Sequence, residues 1–231
     1  MLEPAHPDPS AEGGATLAEL RARVLARAAR EPAPTRGDVA LQRRLVVGLA
    51  LAISLLIFLA WGGIRPSPRP SRLVLETTAG SAVLAIGVAI LAFGRGRSML
   101  GRPKPWLAFA VVSTPVLLFG WRVLVTARYP GMDAEWSNRP GLRCFVLSGM
   151  LAITPLLGLL WLRRGSDPLH PRLTAAAFGA AAGAAAWVLV DLWCPIGHVP
   201  HLLLGHVAPV VLLTALSALI GSRSLGLRKP R

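Results

Sequence analysis

Charge is scarce in this chain. Only 16% of its 231 residues are Asp, Glu, Lys or Arg, against about 25% in a soluble domain. Lysine is nearly missing, with Lys104 and Lys229 beside 23 arginines, and there are two cysteines and one tyrosine. The signatures of common catalysts are missing too. There is no G-x-S-x-G, no P-loop and no H-E-x-x-H, so no nucleophile–base pair or phosphate cradle is indicated, and the chain is expected not to be an enzyme. The net charge of +14 has no RNP-like, helix-turn-helix or zinc-finger pattern behind it, which argues against direct nucleic-acid binding. No short apolar run with a small-residue cleavage site opens the chain. The first span is then expected to serve as its own insertion signal.

What is present is apolar residue in long blocks. The composition is 53% hydrophobic and the mean hydropathy is +0.54. Six blocks run Leu45–Gly63, Leu73–Gly94, Trp106–Thr126, Cys144–Leu162, Leu173–Leu192 and His201–Gly221. Each is about 20 residues, the length a helix needs to cross about 30 Å of hydrocarbon. The expected fold is all-α, a polytopic membrane bundle of about six transmembrane helices. Residues 1–44 form an N-terminal cytoplasmic segment, 45–221 the membrane domain and 222–231 a basic tail. Of the 25 basic residues, 18 fall on the side that holds both termini and seven on the other. The positive-inside rule then puts both termini in the cytoplasm. Trp61, Trp106, Trp121, Trp161 and Trp193 sit near block ends, as an interfacial belt requires.

Ionisable groups avoid the block centres. Glu76, Arg122 and Asp191 lie near block ends, and Arg122 is expected to snorkel to the interface. A proton relay or ion-coupled transporter would place such groups at the midplane. Gly179 and Gly183 form a G-x-x-x-G inside an Ala-rich run, a pattern that lets helices approach closely. Ser148 and Thr154 are expected to hydrogen-bond between helices. Pro115, Pro155 and Pro209 lie within spans and are expected to bend them.

The candidate chemistry is sulfur and imidazole. Cys144 opens the fourth span and Cys194 follows the fifth, so the charge count puts both on the outer side. His198, His201 and His206 follow Cys194 within twelve residues. Two chemical readings stand beside a structural one. The thiols exchange between dithiol and disulfide; or Cys194, with His198, His201 and less favourably His206, holds a soft or borderline ion such as zinc, copper or cadmium, with Cys144 as a further donor; or the cysteines are small buried residues and the histidines polar caps. No cofactor signature is present. His201 and His206 are five apart, which on a regular helix sets them well round from each other. Pro200 makes a regular helix between His198 and His201 doubtful.

Upstream, Thr16 to Arg30 reads as an amphipathic helix. Thr16 and Glu19 make a capping box. Leu17, Leu20, Val24 and Leu25 line one face, with Ala28, and arginines cover most of the rest. Such a helix lies on anionic lipid or docks its apolar stripe in a partner's groove.

A cytoplasmic N-terminal segment, six spans, one cysteine opening the fourth span and one closing the fifth resemble the NrsF family (negative regulator of sigma F). The likeness runs from Arg143-Cys144 through Leu156-Leu157, Arg163-Arg164-Gly165, Pro168 and Pro171-Arg172. It continues along the Ala/Gly-rich fifth span to Cys194-Pro195 and the sixth span. Roughly the last 90 residues carry it in detail and the first 140 by layout. These proteins are bacterial inner-membrane anti-sigma factors. The resemblance implies a multi-pass protein that holds an extracytoplasmic-function sigma factor, with Cys144 and Cys194 as the pair that senses metal or oxidative stress. It makes the helix Leu17–Ala28 a candidate sigma contact. The alternative is a membrane transport or structural protein without regulatory role, whose Cys/His cluster binds a metal.

Overall fold

A computed structural model of the chain describes residues 19, 21–22, 26, 36–64, 69–93, 102–129, 141–164 and 169–226. Leu17, Leu20, Val24 and Leu25 lie outside the described residues. Six long helices account for nearly all of the rest, and no strand occurs among the described residues. They are α1 (Arg36–Ala60), α2 (Ser71–Phe93), α3 (Lys104–Thr126), α4 (Leu142–Leu162), α5 (Pro171–Trp193) and α6 (Val199–Ser224). All six are long and apolar enough to cross a membrane. The helices start a few residues before the apolar blocks. α1 starts earliest, so polar residues from Arg36 onward already belong to the helix that becomes the first span.

α5 is the hub. It packs against α2, α3, α4 and α6, and Thr174 to Ala184 are all buried. Its Ala/Gly composition is the reason. Small side chains let neighbouring backbones come close, and van der Waals contact then drives association where lipid supplies no hydrophobic force. A Cβ on Gly179 would fall 2.5 Å from the Leu213 carbonyl oxygen, and one on Gly183 3.1 Å from Val210 Cα. The G-x-x-x-G is therefore the α5 side of the α5–α6 contact. Gly221 on α6 repeats the device from the other side, against Pro171 and Ala175.

The remaining helices turn large apolar side chains outward. Leu49, Val83, Val112, Leu157 and Leu219 are all more than half exposed. Water would not tolerate so continuous an apolar exterior; lipid would. α1 meets α4 through small and polar residues. Ser54 Oγ donates to the Leu151 carbonyl (2.8 Å) and lies 3.0 Å from Thr154 Oγ1. Val46 and Ala50 pack where Gly158 leaves room. Thr154 thus makes the interhelical bond expected of it. Ser148 is buried, and its hydroxyl has no partner among the described residues.

Candidate functional site

One end of the bundle gathers the C-termini of α1, α3 and α5 and the N-termini of α2, α4 and α6. The buried arginines, Asp191 and the two buried histidines cluster there. α5 stops at Cys194 because Pro195 follows: the residue before a proline is pushed to extended backbone, and Cys194 has φ −90° and ψ 117°. Its N–H still reaches the Val190 carbonyl (2.7 Å), so the sulfur is held at the helix end. α4 begins after Gly141, whose φ of +80° suits glycine alone at low cost.

α6 opens with Pro200 in its first turn, where the missing N–H is no loss. His201 therefore sits on regular helix, and Leu202 N–H reaches the His198 carbonyl (3.0 Å). The next turn, Leu203–Val207, is π-helical. Pro209 gives the physical reason. Its ring crowds the Gly205 carbonyl and it has no N–H to offer it. A widened turn relieves both conflicts, and the Ala208 N–H bonds back to Leu203. The same turn overturns the expectation that His201 and His206 face different ways. Five residues across a π-turn come round to nearly the same side, and the two rings lie 5.8 Å apart between centroids.

Close backbone approach completes the site. A Cβ on Gly205 would meet the Gly141 carbonyl oxygen at 3.0 Å and Cys144 Cβ at 3.1 Å; one on Gly141 would meet the Gly205 nitrogen at 2.9 Å. Two glycines thus let the start of α4 dock on the π-turn of α6. His201 Nε2 lies 3.4 Å from Cys144 Sγ and 3.2 Å from Cys194 Sγ. One donor atom from each of Cys144, Cys194, His201 and His206 falls within 4.8 Å of the other three. All four residues are at most 3% exposed. The cysteines are free thiols. Trp187 of α5 stands edge-on to His206, with centroids 5.1 Å apart.

The geometry sorts the residues singled out from sequence. It brings together Cys144, Cys194, His201 and His206. His198 caps α6 and is outside the group. Neither nitrogen of His206 makes a hydrogen bond of good geometry among the described residues. The Cys194 thiol, in the connection beyond α5, is held below the ordinary thiol range. A hydrogen bond from Cys144 is the main cause; His201 and His206 add to it, together outweighing the effect of burial.

Next to the sulfurs lies a charge cluster that the spacing of residues did not reveal. Arg122 of α3 does not snorkel. It is buried against Asp191 of α5, Nη1 to Oδ1 3.0 Å, with side-chain exposures of 2% and 0%. Arg69 Nη2 donates to the Asp191 carbonyl (3.0 Å), and Thr78 donates to its Oδ2 (3.3 Å). Burial, and then Arg122, lower the Arg69 guanidinium's affinity for its proton, while Asp191 and Cys194 oppose them. The sequence signal was present, since two block ends of opposite charge can pair when their helices are neighbours.

The family model described as NrsF, negative regulator of sigma F, matches residues 25–226. That range takes in all six helices and the whole Cys/His group. No curated protein and no solved structure matches the chain.

Proposed function

We propose that this chain, which belongs to the NrsF family of negative regulators of sigma F, holds an extracytoplasmic-function sigma factor inactive at the bacterial inner membrane. It releases that factor when Cys144 and Cys194 react with a thiophilic ion or an oxidant. The observation that carries the reading is the gathering of the two thiols with His201 at one end of the bundle. Along the sequence, the segments on the opposite side of the spans carry 18 of the 25 basic residues. By the positive-inside rule the thiols then face the outer compartment and the termini face the cytoplasm, where a sigma factor resides.

A change at the thiols acts on sigma only if it has different free energy in the bound and released states. Shifting the balance from 1:99 to 99:1 takes about 5.5 kcal/mol. Thiolate coordination or disulfide formation is chemistry of that scale. The thiols sit on α4 and just after α5, and α4 bonds directly to α1, the helix that continues the N-terminal segment.

The test is co-purification of the full chain from its native host, with any bound sigma factor identified by mass spectrometry. Wild type is expected to retain sigma in reducing buffer and to shed it on exposure to cadmium or peroxide. A Cys144→Ser, Cys194→Ser variant is expected to retain sigma and ignore both. If no sigma factor co-purifies under any condition, the reading fails.

A further inference from the structure

We infer that Cys144, Cys194, His201 and His206 form a closed, four-coordinate site for a d10 cation, with zinc as its resting occupant. The site stands on its own geometry; its role as the resting state of the sensor rests on the function proposed above.

The donor set and spacing are the first argument. A tetrahedral zinc lies about 2.3 Å from sulfur and about 2.0–2.1 Å from nitrogen, which sets neighbouring sulfur and nitrogen donors roughly 3.5 Å apart. His201 Nε2 is 3.4 and 3.2 Å from the two sulfurs, and all four donor atoms lie within 4.8 Å of one another. A small contraction closes that set on one ion. Two sulfurs and two imidazoles are the donors that select a soft or borderline metal over magnesium or calcium. With every position filled by protein, no place is left for substrate, so the site is structural or regulatory and not catalytic.

His206 is the independent argument. It is 1% exposed, and among the described residues neither of its nitrogens makes a hydrogen bond of good geometry. An imidazole buried in this way costs about 1–3 kcal/mol for each unsatisfied group, and nearly all buried polar groups in proteins are satisfied. An ion supplies the missing partner. The local fold is arranged to present this ring: the π-turn rotates it toward His201, Gly205 lets that turn touch α4, and Trp187 walls the far side. Interruptions of this kind in a helix are frequent at functional sites.

Charge gives the third argument. A divalent ion with two thiolates and two neutral imidazoles is neutral overall. Such a centre can be buried without the penalty of a lone charge. It also ties α4, α5 and α6 together, through one ligand from α4, one from the end of α5 and two from α6.

The experiment uses the full chain in detergent, thiols reduced, titrated with Co(II) and then Zn(II). Wild type is expected to bind one Co(II) per chain. It should show sulfur-to-cobalt charge transfer and the intense visible bands of a tetrahedral site, and Zn(II) should displace the ion. His206→Ala and Cys144→Ser are each expected to weaken binding by more than about 10–100-fold, the loss that removing a mere supporting partner of a ligand causes. His198→Ala should bind like wild type. His206→Cys guards against misfolding, because it should restore a tetrahedral spectrum with stronger charge transfer. Absence of cobalt bands in the reduced wild type, or unchanged affinity in His206→Ala, overturns the site. Co-purification of sigma in the same preparations separates the two ideas. Sigma bound without cobalt bands sinks the metal site alone, and cobalt bands without sigma sink the regulatory reading alone.

Discussion

Replacing Asp191 by Asn should destabilise this bundle more than replacing Arg122 by Leu. The Arg122–Asp191 pair is 3.0 Å apart and almost wholly buried. At an effective dielectric of about 20, two charges at that distance attract by roughly 5.5 kcal/mol. Desolvation offsets much of this, so the pair itself adds little net stability. Breaking it is another matter, since it strands a buried charge at about 3–5 kcal/mol. Asymmetry comes from Arg69, which is bound to the Asp191 carbonyl. Without the Asp191 carboxylate, two guanidinium groups face each other in a poorly solvated site, and the cost belongs at the top of that range. Without Arg122, the carboxylate keeps Arg69 and Thr78 nearby, and the cost belongs at the bottom. A double variant, Arg122→Leu with Asp191→Leu, should recover most of the loss. Heat unfolding in detergent, followed by circular dichroism, reads all three. A cost below about 1 kcal/mol for Asp191→Asn would mean that the groups reach water, as a snorkelling arginine would. A larger cost for Arg122→Leu than for Asp191→Asn would refute the role given to Arg69.

Gly179→Ala should cost about 1–3 kcal/mol by overpacking against the Leu213 backbone, whereas Gly87→Ala, with nothing within 4 Å of the new Cβ, should be neutral or stabilise by up to about 1 kcal/mol; unfolding in detergent distinguishes them. Gly141→Ala should strain a backbone at φ +80° and push against the Gly205 nitrogen, so that cobalt affinity falls while helix content holds. Ser54→Ala with Thr154→Val should lower stability by about 0.5–2 kcal/mol, the scale of interhelical hydrogen bonds in membranes; on the proposed reading it should also blunt sigma release by cadmium without affecting cobalt binding.

The spans were legible because the bilayer imposes one length on them and their residues keep to it. That α5 packs closely against a neighbour through Gly179 and Gly183 was legible as well, though not that the neighbour is α6. Cys144 and Cys194 stood out by rarity and by falling at block ends of the same side. What a linear reading misassigned was the histidine partner. His198 looked near to Cys194 and His206 looked remote, because sequence distance and a regular 3.6-residue turn were the available measures. The structure inverts that order through one local event, the π-turn that Pro209 induces and Gly205 accommodates. Arg122 and Asp191 were each visible at a block end. Their pairing was not, since it depends on α3 and α5 being neighbours, which hydropathy does not encode.

The arrangement of helices gives the proposed signal a direction. α5 and α6 interlock through glycines along their length, with little room to shift. α1 is seated differently. Much of its surface is turned outward, and an apolar cleft of about 270 Å³ separates it in part from α2, α4 and α5, lined by Val46, Ala50, Ala85 and Ala181 among others. Its polar attachment to α4 is the Ser54–Leu151–Thr154 cluster, seven to ten residues beyond Cys144 on the same helix. A rearrangement at the thiols therefore meets a rigid pair on one side and a compliant contact on the other. Packed cores shift between discrete arrangements and do not deform smoothly, so the compliant α1–α4 contact is the one that should switch. On the proposed orientation, α1 is also the helix that continues from the cytoplasmic segment. If crosslinking a cysteine pair introduced at Val46 and Gly158 left cadmium-triggered release intact, movement of α1 against α4 would be excluded as the step between the thiols and sigma.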